Sequence, residues 1–402
     1  MSVLAVSPVV TDDLQRRRVT VFFRLFMALP HLFMLGMLVF IGALLAPITW
    51  LIVLIRGSLP ESLHDFYATM VRYSVHTYAY LYLGAEPWPS VFAARGYPID
   101  VTVAPPAEHQ NRWGVAFRLI LALPALFLAG ALGAGAATLS RVSIYSSLGV
   151  LPTVAFLGWF ACLARSRMPA GMRDLLVYGL SYGAQTYAYL LFLTPRYPDS
   201  DPGRLGVATL PPHPIRLDLS DPELRRDRLL VFFRGLLALP HFVWLVLWSI
   251  VALFAVIAAW FAALATGRVP DALHRFLAAR LRYQTHVYGF LYLVADPFPG
   301  FTGAPGSYPV VLEIGAPERH SRWTVLFRLV LAFPAMILAG GLSSVQTIAA
   351  IMGWFASLFT GRMPHGLRNL HAYVLRYSAQ LGAYLALLTP VYPFSGPGPC
   401  DR

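Results

Sequence analysis

The sequence predicts an all-α integral membrane protein made of four related helix-hairpin units in two tandem halves, with a small strand-rich layer on one side of the membrane. Hydrophobic residues make up 57% of the chain and charged residues only 12%, a balance typical of membrane proteins. Runs such as 31–55 and 242–266 are apolar for about 25 residues, enough to cross a hydrocarbon core of roughly 30 Å. A motif that runs from arginine to proline occurs four times, starting at Arg24, Arg118, Arg234 and Arg328.

The four copies extend well beyond this motif. Each continues with an apolar run and a tryptophan that precedes a proline by ten residues, as at Trp50 and Pro60. The first and third copies, like the second and fourth, are 210 residues apart at the motif arginine, which indicates a duplicated pair of units. The second copy alone carries an insertion, around Gly133 to Pro152, which we expect to be a loop. We predict halves at 1–202 and 203–402, with units at 1–104, 105–202, 203–314 and 315–402.

Short segments of alternating polarity precede three of the motifs. Residues 99–103, 215–219 and 310–314 each follow a proline and alternate apolar with polar side chains, which is typical of half-buried strands. Residues 3–9 form a poorer fourth example. These segments predict the strand-rich layer.

The first helix of each unit is too long for one crossing. A helix from Arg18 to Arg56 would measure about 58 Å, so Pro30 either divides it into an interfacial and a spanning part or kinks it. We expect Arg24 and its three counterparts to reach the membrane interface by snorkelling.

The second helix of each unit leaves two membrane arrangements open. If it spans, each unit is a hairpin, giving eight crossings with all strands on one side; if it lies at the surface, there are four crossings and alternate units invert. We prefer the hairpin arrangement because its return geometry is simpler. It places 18 arginines on the strand side against 8 at the turns, which predicts a multi-pass membrane protein with cytoplasmic termini.

Polar side chains in the second helices are the candidate ligand-binding site. Arg72 and His76 lie four residues apart near the middle of the first such helix, and ionisable residues within a membrane span suggest function. We predict that the corresponding side chains line a polar site between the repeats, although they could instead only brace the bundle. Because the duplication relates His76 to His286, a paired-histidine metal or haem site is conceivable, but hydrogen-bonded core histidines are more common, and we predict no metal or cofactor. The predicted site comprises Arg72, His76, Gln185, Arg282, His286, Arg376 and Gln380.

Charge and motif content restrict the function. All 31 basic side chains are arginine and the net charge is +12, which suits anionic lipids, whereas no nucleic-acid module is recognisable. No hydrolase, metalloprotease, P-loop or dinucleotide motif occurs, so we predict that the protein is not an enzyme. We expect it to bind or transport an anionic solute or lipid, with anionic membrane lipids as partners and a membrane protein as a further candidate partner. The alternative is a non-catalytic scaffold or assembly subunit of a membrane complex.

Four conserved-looking patterns carry a family resemblance. They are FFRxxxALPH at 232–241, WFAALxTGRxP at 260–270, LRY at 281–283 and LTPxYP at 388–393. Together they resemble an uncharacterised, mainly actinobacterial membrane family, domain of unknown function 4389. The resemblance implies a polytopic protein of the bacterial cell membrane but no activity and no catalytic residues. Ser58 and Ser181 depart from the arginine found at the corresponding positions of other units, so any four-fold site is imperfect.

Overall fold

The computed structural model describes residues 6–90, 93, 95–106, 109–134, 149–205, 210–220 and 223–398. These residues are mostly helical, with two small sheets. The chain forms two compact units, Met1–Ser200 and Asp201–Arg402, which we name the first half and the second half and describe separately. Most of the insertion predicted around Gly133 to Pro152 lies outside the described residues.

The first half contains six helices and one two-stranded sheet among its described residues. Strands β1 and β2 pair antiparallel, with Val10 opposite Ile99. Its elements are β1 (Val6–Val10), α1 (Arg18–Arg56), α2 (Glu61–Leu81), β2 (Ile99–Val103), α3 (Arg112–Ala116), α4 (Arg118–Leu132), α5 (Val150–Arg165) and α6 (Ala170–Leu190).

The second half has a corresponding order over its described residues. The counterpart of α1 is divided into two helices, and the counterparts of α4 and α5 are joined into one. Strands β3 and β4 also pair antiparallel, with Leu219 opposite Val310. Its elements are β3 (Ile215–Leu219), α7 (Arg228–Leu237), α8 (Leu239–Thr266), α9 (Asp271–Leu291), β4 (Val310–Ile314), α10 (Arg322–Leu326), α11 (Arg328–Thr360) and α12 (His365–Leu385). The predicted strands 99–103, 215–219 and 310–314 are confirmed residue for residue, and β1 lies slightly later than the predicted 3–9.

Three helical stretches of the described chain are long and apolar enough to cross a membrane: α1, α7 together with α8, and α11. Helices α4 and α5 are apolar but shorter. The second helices of the units, α2, α6, α9 and α12, are not among these candidates, so their composition gives no support to eight crossings. The structure therefore indicates a membrane protein.

Backbone conformation explains where the long helices end. Gly57, Gly267 and Gly361 follow α1, α8 and α11 in the left-handed region, with φ of 77°, 74° and 69°. Glycine enters this region without the steric cost that a Cβ imposes, and the proline three residues later directly precedes the next helix. Ser166, after α5, adopts the same conformation with φ of 54° although it is not glycine.

Each half is built in layers. In the first half, α2 packs between α1 on one side and β2 on the other. Tyr73 of α2 shares a hydrogen bond with His31 of α1 (2.7 Å), whereas Arg72 and His76 point to the opposite side, toward β2. In the second half, α9 packs in the same way between α8 and β4.

Reciprocal hydrogen bonds show that the long helices of one half run antiparallel. The indole of Trp50, near the end of α1, donates to the carbonyl of Val115 in α3 (3.1 Å), and the indole of Trp159, near the end of α5, donates to Val21 near the start of α1 (3.2 Å). Such exchanged contacts are the mark of a local two-fold relation. The second half repeats the pair with Trp260 and Val325, and with Trp354 and Val231.

This orientation differs from the preferred hairpin arrangement. If every unit began on the same membrane side, α1 and α5 would run parallel. The tryptophan bonds instead place the end of each long helix beside the start of the other. Sequence spacing missed this because it contains no information about helix direction.

Candidate functional site

The four motif arginines are buried structural groups. Arg24, Arg118, Arg234 and Arg328 are at most 3% exposed, so the expectation that they snorkel to an interface is wrong. In each case one guanidinium nitrogen donates to two backbone carbonyls at the end of the following second helix. A helix leaves its last carbonyls without partners, and the multi-donor guanidinium satisfies them. The accepting residues are Tyr80 and Ala85, Tyr189 and Thr194, Phe290 and Ala295, and Tyr384 and Thr389.

The third partner of these arginines differs between units. Arg24 pairs with Glu86 and Arg234 pairs with Asp296. In contrast, Arg118 donates to the amide oxygen of Gln110 (2.7 Å), and no described carboxylate lies within 4.0 Å of its guanidinium. Among the described residues, the contacts of Arg118 are with dipoles and with the faces of Tyr189 and Phe192.

The fourth motif arginine has a titratable partner. Arg328 donates to Nδ1 of His320 (3.1 Å). Burial, together with the positive charge of Arg328, lowers the pKa of His320 to about 4. The neutral imidazole is therefore the form that accepts this hydrogen bond.

Two predicted site residues meet an acid that we had not included in the site. Arg72 donates to both carboxylate oxygens of Asp100 in β2 (3.2 and 2.8 Å), and Nε2 of His76 lies 2.8 Å from the same group. Burial opposes ionisation of Asp100, but the hydrogen bonds from His76, Arg72 and the backbone of Val101 outweigh it and hold the pKa of this carboxyl well below its usual range. Asp100 is the one charged residue of the strand predicted at 99–103, and this charge was the available signal.

The second half lacks this acid. Val311 occupies the position of Asp100 in the sheet register, and the hydrogen bond of Arg282 with a described residue goes to the carbonyl of Leu312 in β4 (3.3 Å). His286 lies against the ring of Tyr308 at 5.0 Å between centroids and makes no hydrogen bond with a described residue. The arginine and histidine thus share an acidic partner in the first half, whereas in the second half the arginine makes one hydrogen bond to the backbone.

The remaining predicted residues hold strand and tail backbone. Gln185 accepts from the amide of Asp199 (2.8 Å). Gln380 donates to Ile215 in β3 and accepts from Phe394, and Arg376 donates to the carbonyl of Gly396 (2.6 Å). These contacts favour the bracing role that we considered as the alternative. Among the described residues, no group of three or more His, Cys, Asp or Glu side chains could hold a metal ion.

A cavity of about 560 Å³ lies elsewhere in the first half, between α1, α2, α4 and α6. None of the predicted site residues of this half lines it. Its wall is apolar apart from Ser74, Tyr78, Tyr187 and Arg118. Small side chains along α1 leave the space, and sequence reasoning did not single them out: Gly42, Ala43 and Ala46.

Comparison with known families gives one match. The profile described as domain of unknown function 4389 matches residues 18–93, 228–302 and 322–395, more than half of the chain. The chain belongs to this family. The matched segments begin at the first residues of α1, α7 and α10, and they include the motif arginines Arg24, Arg234 and Arg328. No curated protein and no solved structure matches the chain.

Proposed function

We propose that this protein of the domain of unknown function 4389 family is a membrane protein that binds an anionic phospholipid in its first half. The observation that carries the proposal is the cavity between α1, α2, α4 and α6. Its volume of about 560 Å³ lies in the range of small-molecule sites, and its wall is mostly apolar, as an acyl chain requires. The predicted polar stripe contributes by holding β2 against α2 and not by contacting the ligand.

The charges at one end of the cavity support an anionic ligand. Arg118 lines the cavity and has no carboxylate partner among the described residues. Arg112 and Arg56 are exposed nearby, and Arg112 donates to the carbonyl of Ile55 at the end of α1. A lipid whose acyl chain enters beside Gly42 would therefore present its phosphate to exposed guanidinium groups, which bind phosphate well.

The same geometry suits transfer of the lipid as well as binding. The cavity lies between α1 and α2 of one unit and α4 and α6 of the next, and membrane proteins built from repeats often place their ligand sites between the repeats. We accordingly place the protein, with its four units in two halves, in a bacterial cell membrane, where anionic lipids are the available ligands. A scaffold role is the competing function, favoured by the bracing contacts of Arg72 and Gln380.

The test is native mass spectrometry and lipid analysis of the full-length protein purified in mild detergent. The variant Ala43→Leu/Ala46→Val introduces the side chains that the second half carries at Leu253 and Val256, and it should reduce bound anionic lipid at least five-fold. Leu44→Val, at an exposed position between the two, is the control and should retain the lipid. Unchanged lipid content in the filled variant would contradict the site, and a stoichiometric membrane-protein partner in place of lipid would favour the scaffold.

A further inference from the structure

We propose that the apolar helices of each half lie parallel to the membrane surface within one leaflet, with the sheet facing water. This orientation is independent of lipid binding in the cavity. The partner is the leaflet of an anionic bilayer, and the inference rests on the layer order, the exposed apolar face, the positions of exposed charges and the depth of the sheet.

The layer order separates an apolar face from a polar one. In the first half, the side chains of α1 that contact α2 are buried, and those on the opposite stripe are exposed. Phe22, Phe33, Leu44 and Ile55 are 56%, 72%, 61% and 64% exposed and are spaced by eleven residues, about three helical turns, so they lie on one face. An exposed apolar face of this length marks contact with lipid or a partner.

In each half, the sheet lies on the opposite side of the second helix, α2 or α9, from the exposed apolar face of the long helix. In the second half, Arg216 of β3 and Glu313 of β4 form an exposed ion pair at 2.8 Å. Leu312, next to Glu313, accepts from Arg282 in the middle of α9. The adjacent Tyr283 stacks on Trp248 at 5.4 Å between ring centroids, and Trp248 lies at the middle of the 39-residue apolar stretch 228–266.

This position decides between the two orientations. If 228–266 stood upright across a bilayer, its middle would lie near the bilayer centre, and the ion pair between Arg216 and Glu313 would lie at that depth. Exposed charges at the centre of a bilayer are strongly unfavourable. With the helix parallel to the surface, the same pair faces water while the opposite apolar face enters the leaflet.

Exposed arginines lie at both ends of the apolar layer. A crossing helix normally has more basic residues on its cytoplasmic side, whereas a helix lying along an anionic surface gains from arginine at either end. Around α1 and α5, Arg17, Arg18, Arg165 and Arg167 lie near one end, and Arg56 and Arg112 near the other. Around α7, α8 and α11, Arg225, Arg228 and Arg362 lie near one end, and Arg268, Arg319 and Arg322 near the other.

Helix length favours the same orientation. Helix α1 has 39 residues and measures about 58 Å, which exceeds a whole bilayer with its headgroups, about 40–45 Å. An in-plane helix has no such limit.

Depth measurements by spin labelling test the orientation on the full-length protein. In a Cys162→Ala/Cys400→Ser background, single cysteines replace Phe22, Phe33, Leu44 and Ile55 in turn, and Thr102 on the exposed side of β2. Each nitroxide-labelled protein is reconstituted into vesicles of phosphatidylcholine and phosphatidylglycerol. Accessibility to oxygen and to a water-soluble nickel chelate then gives the depth of each label. We expect four similar depths within one leaflet, with Thr102 accessible to the chelate.

A depth profile that reaches the bilayer centre at 33 and 44 and returns to the surface at 22 and 55 would overturn the proposal, as would a label at 102 shielded from the chelate. If a first-half variant does not elute as a folded protein, the equivalent series at Phe232, Val243, Phe254 and Ala265 makes the same measurement in the second half. As a second readout, cysteines at Arg18 and Arg56 should react with an impermeant maleimide from the same side of the vesicle. Reaction from opposite sides would also overturn the in-plane orientation.

Discussion

The two halves share a scaffold but differ beside their long apolar helices. In the first half, Val39, Met70 and Ser74 line the cavity. At the positions 210 residues later, the second half has Ser249, Arg280 and Gln284, and the guanidinium of Arg280 donates to both of the others (2.8 and 2.7 Å). The two halves therefore pack their helices in a similar way, while different side chains at a few positions replace an apolar cavity wall by a polar cluster.

The sheet contacts differ in the same sense. Asp100 joins Arg72 and His76 in the first half, whereas Val311 takes its place in the second. The motif arginines of each half also differ from one another. Arg24 and Arg234 pair with acidic side chains, whereas Arg118 and Arg328 donate to Gln110 and His320. The contacts between the motif arginines and backbone carbonyls occur in both halves and are therefore structural. The halves have diverged in contacts between side chains, such as those of Asp100.

The largest effect is expected when the ion pair unique to the first half is broken. Asp100→Ala leaves Arg72 and His76 without their shared acceptor, and removing one partner of a buried ion pair costs about 3 kcal/mol or more. Val311→Ala, at the equivalent position, removes only part of an apolar side chain and should cost about 1 kcal/mol. Thermal unfolding in detergent measures both, and equal losses would mean that the Asp100 contacts contribute little.

The next prediction introduces the polar cluster into the cavity. Met70→Arg places a cation against Val39, which offers no acceptor, and should destabilise the first half by about 2 kcal/mol. The triple variant Met70→Arg/Val39→Ser/Ser74→Gln supplies both acceptors seen in the second half and should recover about half of that loss. It should also lack the cavity lipid. A triple variant no more stable than the single one would show that the two halves differ in more than these side chains.

A pH effect should distinguish the two arginine partners. The pKa of His320 is about 4 in the folded protein against an ordinary 6.5, so the unfolded state binds more protons between these values. The stability that neutral His320 provides is complete above the higher value and is lost as the pH falls toward 4. His320→Gln, which copies Gln110, should make the unfolding temperature less dependent on pH in this window. An unchanged slope would exclude His320 as a contributor.

The smallest effect concerns the end of α5. Ser166 holds a left-handed backbone conformation that Gly361 adopts at the corresponding place in the second half. Ser166→Gly should stabilise the protein by about 0.5–1 kcal/mol, because relief of the Cβ strain exceeds the added flexibility of the unfolded chain. Gly361→Ser should destabilise the protein by a similar amount. A Cβ added at Gly361 would lie 3.6 Å from its nearest neighbour, the side chain of Arg228, so no steric clash complicates the comparison. Shifts of the same sign in both variants would contradict this explanation.

Local features of this protein were determined by the sequence alone. Alternation predicted β2, β3 and β4 to the residue, and apolar runs predicted the long helices, because side-chain periodicity and length are properties of a single segment. The motif repeats also identified the family. The repeats identified the motif arginines as important positions, but they did not show that these side chains bind the carbonyls at the ends of the second helices.

Only the tertiary structure decided helix direction, the partners of the polar stripe and the cavity. The antiparallel order depends on reciprocal contacts between Trp50 and Val115 and between Trp159 and Val21, which are far apart in sequence. Asp100 became a partner of Arg72 because a strand returns across α2, and no spacing rule contains that return. The cavity exists where small side chains of α1 meet three other helices, since empty space is a property of the packed assembly and not of any one segment.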